Sequence, residues 1–323
     1  MLASSFSDVE LPELPEIEGL ISASERRYLY RLTREHYTGQ GSVVEIGSWF
    51  GCSSIHLAAG LRDAGHKSTV NCFDDFGLLG GPNSLDRFLS NTSLLAEYLK
   101  PTKSLIRDLK WTEPIEILFL DAPKTWTDLA DVFRIFGQHL IPGISLISIQ
   151  DYLFFPAYPI AVAIERLEKC FTLEHVVTEG STVTFRMKQS LPLDVADMVR
   201  QPPDWGHEEC SERWDHILKA LPANAVERLQ PALPLLLEEL GYLDAAQSAA
   251  RQSSLSAFQT GKWLRHFGYL SKKYPYTAGI MRGRLKYMSR ERFLYYIDLL
   301  NASALVRAAK SIVNRFMRGR FSG

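Results

Sequence analysis

The sequence predicts an α/β fold: a doubly wound, Rossmann-like, mostly parallel seven-stranded sheet with a C-terminal antiparallel hairpin, followed by an all-helical region. Three observations predict it. Short apolar runs alternate with segments of helical period between residues 43 and 170, the pattern of a parallel sheet covered on both faces. The first run closes in a glycine-marked turn, Glu45-Ile46-Gly47-Ser48-Trp49-Phe50-Gly51, that opens a helix. Four runs end in an acidic residue, Glu45, Asp74, Asp121 and Asp151, at the carboxyl ends of strands, where ligands bind in such sheets.

The elements follow in order. Ser22 and Ser24 with Glu25 cap a helix carrying Tyr28, Leu29 and Leu32 to about His36. Val43–Ile46 is the first strand, and the helix after the glycine turn runs to Leu61. Thr69–Phe73 is the second strand, ending at Asp74-Asp75; a glycine-rich loop, Gly77–Pro82, leads to a helix over Leu85–Leu99. Ser104–Arg107 reads as a short strand, Ile115–Leu120 as a buried one, and Thr127–Leu140 as a helix with apolar residues at 129, 132, 133, 136 and 140. Pro142-Gly143 breaks that helix. Ile144–Ile149 is a strand, Ala157–Cys170 a helix, and Phe171–Val177 and Thr182–Met187 pair around Glu179-Gly180.

Past Gln189 the chain reads as helices over Cys210–Leu221, Ala223–Glu239, Leu243–Phe258, Trp263–Leu270, Arg290–Leu300 and Ser303–Met317, with Gln201-Pro202-Pro203-Asp204 as a linker or ordered loop. Leu237–Ala246 resembles a single tetratricopeptide helix hairpin, without a repeat. The expected organisation is an N-terminal extension (1–20), a ligand-binding α/β domain (21–189) and a helical domain (190–323).

Composition bounds the function. With 323 residues, 46% hydrophobic and 23% charged, the chain can bury a full core. The net charge of −1 conceals a division: from Lys262 onward fourteen basic residues meet only Glu291 and Asp298, so that segment carries +12 and the rest −13. Such a segment suits an anionic surface or the acidic part of the same chain. The stripe Ala302, Leu305, Val306, Ala309, Ile312, Val313, Phe316 and Met317, with Arg307, Lys310, Arg315 and Arg318 off it, fits an interfacial membrane helix or the surface of a bundle. Nucleic acid is disfavoured, since no binding module accompanies the charge. Cys52, Cys72, Cys170 and Cys210 show neither paired nor metal spacing. The N-terminus lacks the basic and apolar regions of a signal peptide, and no run spans a membrane. The expected location is cytoplasmic, with peripheral contact at the inner face of a membrane through the basic helices; a homo-oligomer is also open.

The glycine turn fits a nucleotide-like ligand, because glycine allows a sharp turn and a helix start offers free N–H groups. The spacing Glu45-x-Gly47-x-x-x-Gly51 departs from the Gly-x-Gly-x-x-Gly of nicotinamide dehydrogenases. With the acidic residue ahead of the turn and the closing hairpin, residues 21–188 resemble the class I S-adenosylmethionine-dependent methyltransferases. The resemblance implies Gly47, Ser48 and Gly51 facing the methionine part of the cofactor, Asp74 on the ribose hydroxyls with Asp75 as the neighbouring candidate, Asp108 at the adenine amine, and Glu45 and Asp121 as further cofactor-binding residues.

The stretch Asp121-Ala122-Pro123-Lys124, with Leu140–Gly143 leading to Gln150-Asp151-Tyr152, resembles the metal-dependent catechol-type O-methyltransferases. That implies Asp121 and Asp151 as Mg²⁺ ligands and Lys124 as the base on an acceptor hydroxyl. Asp151-Tyr152 stands where the catechol group has Asp-Asn and is shared with relatives acting on sugars and natural products. Those carry Asp-Gly-Asp-His where this chain has Asp121–Lys124, so metal use stays open. The expected activity is O-methyl transfer to a sugar, glycan or small natural product. A cofactor-binding interaction module without catalysis and, more weakly, a dehydrogenase are the alternatives. Plainer roles compete at each position: Asp121 as a helix cap, Lys124 as a solvated lysine, His56, Tyr152 and Tyr158 as core, Trp49 and Phe50 as packing.

Overall fold

The computed structural model describes residues 2–4, 9–77, 80–253 and 266–287. Among them eight strands form one sheet: β1 (Leu2–Ser4), β2 (Ser42–Ile46), β3 (Val70–Asp74), β4 (Leu99–Lys103), β5 (Ile115–Leu120), β6 (Leu146–Ile149), β7 (Phe171–Val177) and β8 (Val183–Met187). Their order is β1-β7-β8-β6-β5-β2-β3-β4. Every pairing is parallel except those of β8, which runs antiparallel to both β6 and β7. The doubly wound class with its terminal hairpin is the one the sequence predicts. The eighth strand is an addition: β1, from the expected N-terminal extension, pairs with β7 through Leu2–His175 to Ser4–Val177.

Alternation along the strands sends side chains to two cores. Val43, Ile117, Phe119 and Leu146 face α1 (Ala23–His36) and α2 (Cys52–Asp63), burying Tyr28, Leu29, Ile55 and Leu61. Val44, Leu118, Leu120 and Ile147 face α4 (Trp126–Phe136) and α5 (Pro159–Arg166). The second core continues without a break into the helical region, through Trp214, Leu235, Leu236, Tyr274 and Met281. That region comprises α6 (Val195–Val199), α7 (His207–Lys219), α8 (Ala223–Leu229), α9 (Leu233–Glu239), α10 (Leu243–Gln252), α11 (residues 266–273) and α12 (Pro275–Tyr287). The helix read over Ala223–Glu239 divides, because Pro231 and Pro234 begin a new turn. Gly241, at φ +85°, ends α9, and the Tyr242 N–H donates to the Leu237 carbonyl at 2.9 Å. The hairpin read at Leu237–Ala246 is therefore present as α9 and α10.

Other boundaries moved. The helix expected over Leu85–Leu99 is α3 (Ser84–Asn91) followed by a 3₁₀ stretch, Ser93–Tyr98. The strand expected at Ser104–Arg107 is instead β4, five residues earlier, and 106–108 form a 3₁₀ turn. Pro101 hid it, yet a proline is tolerated there because β4 is the sheet edge. The helix read over Ala157–Cys170 shortens to α5 between two 3₁₀ turns. Arg290–Leu300, Ser303–Met317 and most of the basic charge lie outside the described residues. No described helix is long and apolar enough to cross a membrane.

Candidate cofactor cleft and its charged end

The strand order reverses between β5 and β2, and the loops leaving these two strands meet at their carboxyl ends. The Asp121 and Ala122 N–H groups donate to the Ile46 carbonyl at 2.8 and 3.1 Å. Gly47, at φ +100°, lies under this contact: a Cβ there would stand 2.6 Å from the Ala122 nitrogen. Gly51, at φ +89°, begins α2, and its missing Cβ leaves room for Thr92 and Phe88. Both glycines are required, as the turn chemistry predicts. The space they free is filled by the chain itself.

A cleft of about 440 Å³ opens here, lined by Gly47, Ser48, Trp49, Phe50, Asp74, Asp121, Lys124, Gln150 and Asp151 together with Leu20, Phe154 and His266. Its size suits a nucleoside-sized ligand. Of the residues read from the sequence, Gly47, Ser48, Asp74, Asp121, Lys124 and Asp151 meet in this one cleft. Glu45, Gly51 and Asp108 are not among its lining. Asp108 sits exposed on the 106–108 turn, with Arg107 at 3.9 Å.

Glu45 works beneath the cleft. It is fully buried, and its carboxylate accepts the hydroxyls of Ser48, at 2.9 Å, and Ser54. It thereby ties the turn to the first turn of α2. Burial raises its pKa, while the serine hydroxyls oppose the shift. Asp74 shapes the other side: one oxygen accepts the Trp49 N–H at 2.9 Å and the other the Phe76 N–H at 2.6 Å. Trp49 and Phe76 both stand at positive φ, +42° and +47°, a backbone cost these bonds offset. Burial raises Asp74 as well, with the two amide bonds pulling it down. Each of its oxygens keeps a lone pair for a ligand hydroxyl.

At the far end Lys124 bridges two loops. Its Nζ lies 2.8 Å from Asp151 Oδ2 and 3.3 Å from Asp121 Oδ1, and it also donates to the Asp121 carbonyl. Burial alone would lower the lysine pKa, but the charges of Asp121 and Asp151 outweigh it and hold the ammonium above its ordinary range. Burial pushes Asp121 up to about 6, against the pull of Lys124 and with the help of Asp151. Asp151 is itself at φ +64°, and its second oxygen accepts the Ser181 hydroxyl at 3.2 Å. Thr125, not Asp121, caps α4, accepting the Asp128 N–H at 3.2 Å.

Two buried polar atoms of the cleft residues have no hydrogen-bond partner among the described residues: Trp49 Nε1 and Gln150 Oε1. A donor and an acceptor left unmade in a cleft suit a polar ligand. Beyond Asp151 a second cavity, about 360 Å³, shares Leu20, Ile21, Asp151 and Phe154 with the cleft and adds Glu179, Ser181 and Arg228. Its floor is the β7–β8 turn, fixed by Glu25, whose carboxylate accepts the Ser181 N–H at 2.8 Å and the Thr182 hydroxyl at 2.7 Å.

Sequence reasoning missed Gln150 and His266. Gln150 adjoins a residue it singled out, so proximity was the available signal. His266 arrives from α11, with its ring 5.0 Å from that of Phe154, and nothing local marks it. Tyr152 and Tyr158 are buried in the core, Tyr152 against Phe185 and Tyr158 against Trp126. His56 is also buried, its Nδ1 2.6 Å from the Cys52 carbonyl.

No protein-family model matches this chain, and no curated protein does. Among solved structures it is similar to the S-adenosylhomocysteine-bound methyltransferase PaMTH1 of Podospora anserina, at 11% identity and a TM-score of 0.40, over 52% of this chain and 80% of that one. CalS11, a TDP-rhamnose 3'-O-methyltransferase of calicheamicin biosynthesis, is 15% identical with a TM-score of 0.39, over 50% and 76%. Cofactor-bound Rv0187 from MTB is 17% identical with a TM-score of 0.41, over 55% and 85%.

Proposed function

We propose that this protein is an S-adenosylmethionine-dependent O-methyltransferase acting on a hydroxyl of a sugar, glycan or small natural product. One observation carries the reading: a cleft at the switch point holds the Asp74 carboxylate at one end and the Asp121–Lys124–Asp151 cluster at the other. Asp74 offers two oxygens to a pair of vicinal hydroxyls. The unpartnered Gln150 Oε1 offers an acceptor to the ammonium of an amino acid. The antiparallel β8 between two parallel strands agrees with the resemblance carried by the sequence.

Bound S-adenosylmethionine supplies an electrophilic methyl on a sulfonium. The chain contributes alignment and the removal of one proton. In this reading the acceptor enters by the second cavity, between Phe154 and the β7–β8 turn, and brings its hydroxyl to the charged end. Asp121, with a pKa near 6, receives the proton. Lys124 keeps that carboxylate in place; to act as the base itself, it would first have to release a carboxylate and a proton.

Calorimetry with S-adenosylmethionine and S-adenosylhomocysteine, followed by methyl-transfer assays on a panel of hydroxylated acceptors with Mg²⁺ or with EDTA, tests this. Binding and turnover are expected. Binding without turnover on any acceptor would favour the non-catalytic module, and absence of binding would sink both.

A further inference from the structure

We infer that the Lys124 ammonium stands in this site where a divalent cation would otherwise bridge Asp121 and Asp151. The catechol-type resemblance makes these two carboxylates a metal pair, and the donor set argues otherwise. The ammonium has three N–H donors, and all three are used: on Asp151 Oδ2 at 2.8 Å, on Asp121 Oδ1 at 3.3 Å and on the Asp121 carbonyl. The lysine is held between Pro123, which fixes its own φ, and Thr125, which caps α4. Its Nζ is held by contacts to both loops, although 35% of the side chain stays exposed.

A hard divalent cation needs several oxygen ligands around it. The further carboxylates nearby serve the fold: Glu45 takes Ser48 and Ser54 on one oxygen beneath the cleft, and Glu25 holds the β7–β8 turn. The second oxygen of Asp151 also accepts the Ser181 hydroxyl at 3.2 Å. Among the described residues the buried oxygens left without a hydrogen-bond partner here are the amide oxygen of Gln150 and, beneath the cleft, Glu45 Oε1, too few to complete a shell for Mg²⁺ beside a positive charge. Among the described residues the cluster of three potential metal ligands is Glu165, Glu168 and His216, outside the cleft, and Arg213 already pairs with both glutamates there. The tethered ammonium joins the loops after β5 and β6 and partly neutralises the pair without any exchangeable ion. This inference concerns the charged end alone and stands whether or not the chain transfers methyl groups.

The test is Mn²⁺ binding to the full-length protein, followed by the paramagnetic resonance of free Mn²⁺. The wild type is expected to bind weakly, with Kd on the order of 1 mM or above. Lys124→Met removes the charge and keeps the stem; it is expected to bind at least about tenfold more tightly. The gain should disappear in Lys124→Met/Asp151→Asn and be absent in Lys124→Arg, which retains a cation. Circular dichroism of each variant establishes that it is folded, and Lys124→Ala serves if Lys124→Met is not. Wild-type binding at micromolar Mn²⁺ that is lost in Asp121→Asn or Asp151→Asn would overturn the inference. So would a folded Lys124→Met or Lys124→Ala that binds no better than wild type. S-adenosylhomocysteine calorimetry on the same samples reports separately on the cofactor reading.

Discussion

Glu239, the last residue of α9, accepts the indole N–H of Trp126, the first residue of α4, at 3.2 Å. The same carboxylate accepts the Tyr158 hydroxyl and lies 3.4 Å from Lys273 Nζ. Trp126 follows the loop of Asp121 and Lys124, and Tyr158 follows the loop of Asp151. One side chain of the helical region therefore anchors the exits of both loops that build the charged end. Replacing it by alanine leaves the buried indole N–H without its acceptor and the Tyr158 hydroxyl with Tyr274 alone, at 2.9 Å. Glu239→Ala is expected to cost about 2 kcal/mol in urea unfolding and Glu239→Gln less.

Gly47 is the backbone position the cleft tolerates least. Alanine there meets both a positive φ and the Ala122 nitrogen at 2.6 Å. The strain is expected to cost about 2–3 kcal/mol and to push the Asp121 loop outward. Thermal unfolding together with S-adenosylhomocysteine calorimetry checks this: both stability and affinity should fall in Gly47→Ala.

Glu45 separates charge from hydrogen bonding. Its raised pKa means that burial penalises the ionised carboxylate. Glu45→Gln keeps an acceptor for Ser48 and Ser54 while removing the charge, so its melting temperature at pH 7 should equal or exceed that of wild type. Glu45→Ala strands two buried hydroxyls and should lose about 2 kcal/mol.

Two groups give stability opposite dependences on pH. His56, depressed by burial to about 4, is protonated in the unfolded chain at a higher pH than in the folded one. Stability should therefore fall as pH drops from about 6.5 to 4, by up to about 3 kcal/mol. Asp121, raised by burial to about 6, holds its proton longer in the folded chain; its contribution is present at low pH and is lost as pH rises through about 6. Urea midpoints across pH 4–7 should show His56→Leu losing the acid-side decline and Asp121→Asn losing the opposing slope. Unchanged profiles in both variants would refute these assignments.

The sheet and its switch point were legible because they rest on local patterns. Ile115–Leu120 and Phe171–Val177 are strands with the limits read from the sequence. The Ser22–Glu25 cap is present with both of its hydrogen bonds. What escaped depends on distant partners. β4 contains Lys100-Pro101-Thr102-Lys103, with little intrinsic strand preference, and it becomes a strand by pairing with β3. β1 exists through its pairing with β7, some 170 residues away. Glu45 and Gly51 were placed correctly on a turn, but their partners, Ser54 and Thr92, belong to the protein's own packing. His266 reached the cleft through the fold of the helical region, which no spacing near residue 266 encodes.

The two ends of the sheet bear on how copies of this protein meet. At one end the outermost strand is β4, where Pro101 lacks an N–H and Lys100 and Lys103 flank it with charge; at the other it is β1, three residues long. Among the described residues neither offers a long, fully donating ladder for a neighbour to extend. Self-association by a continuous intermolecular sheet is thus disfavoured at these two described edges, which leaves side-chain surfaces as the means by which copies would meet there.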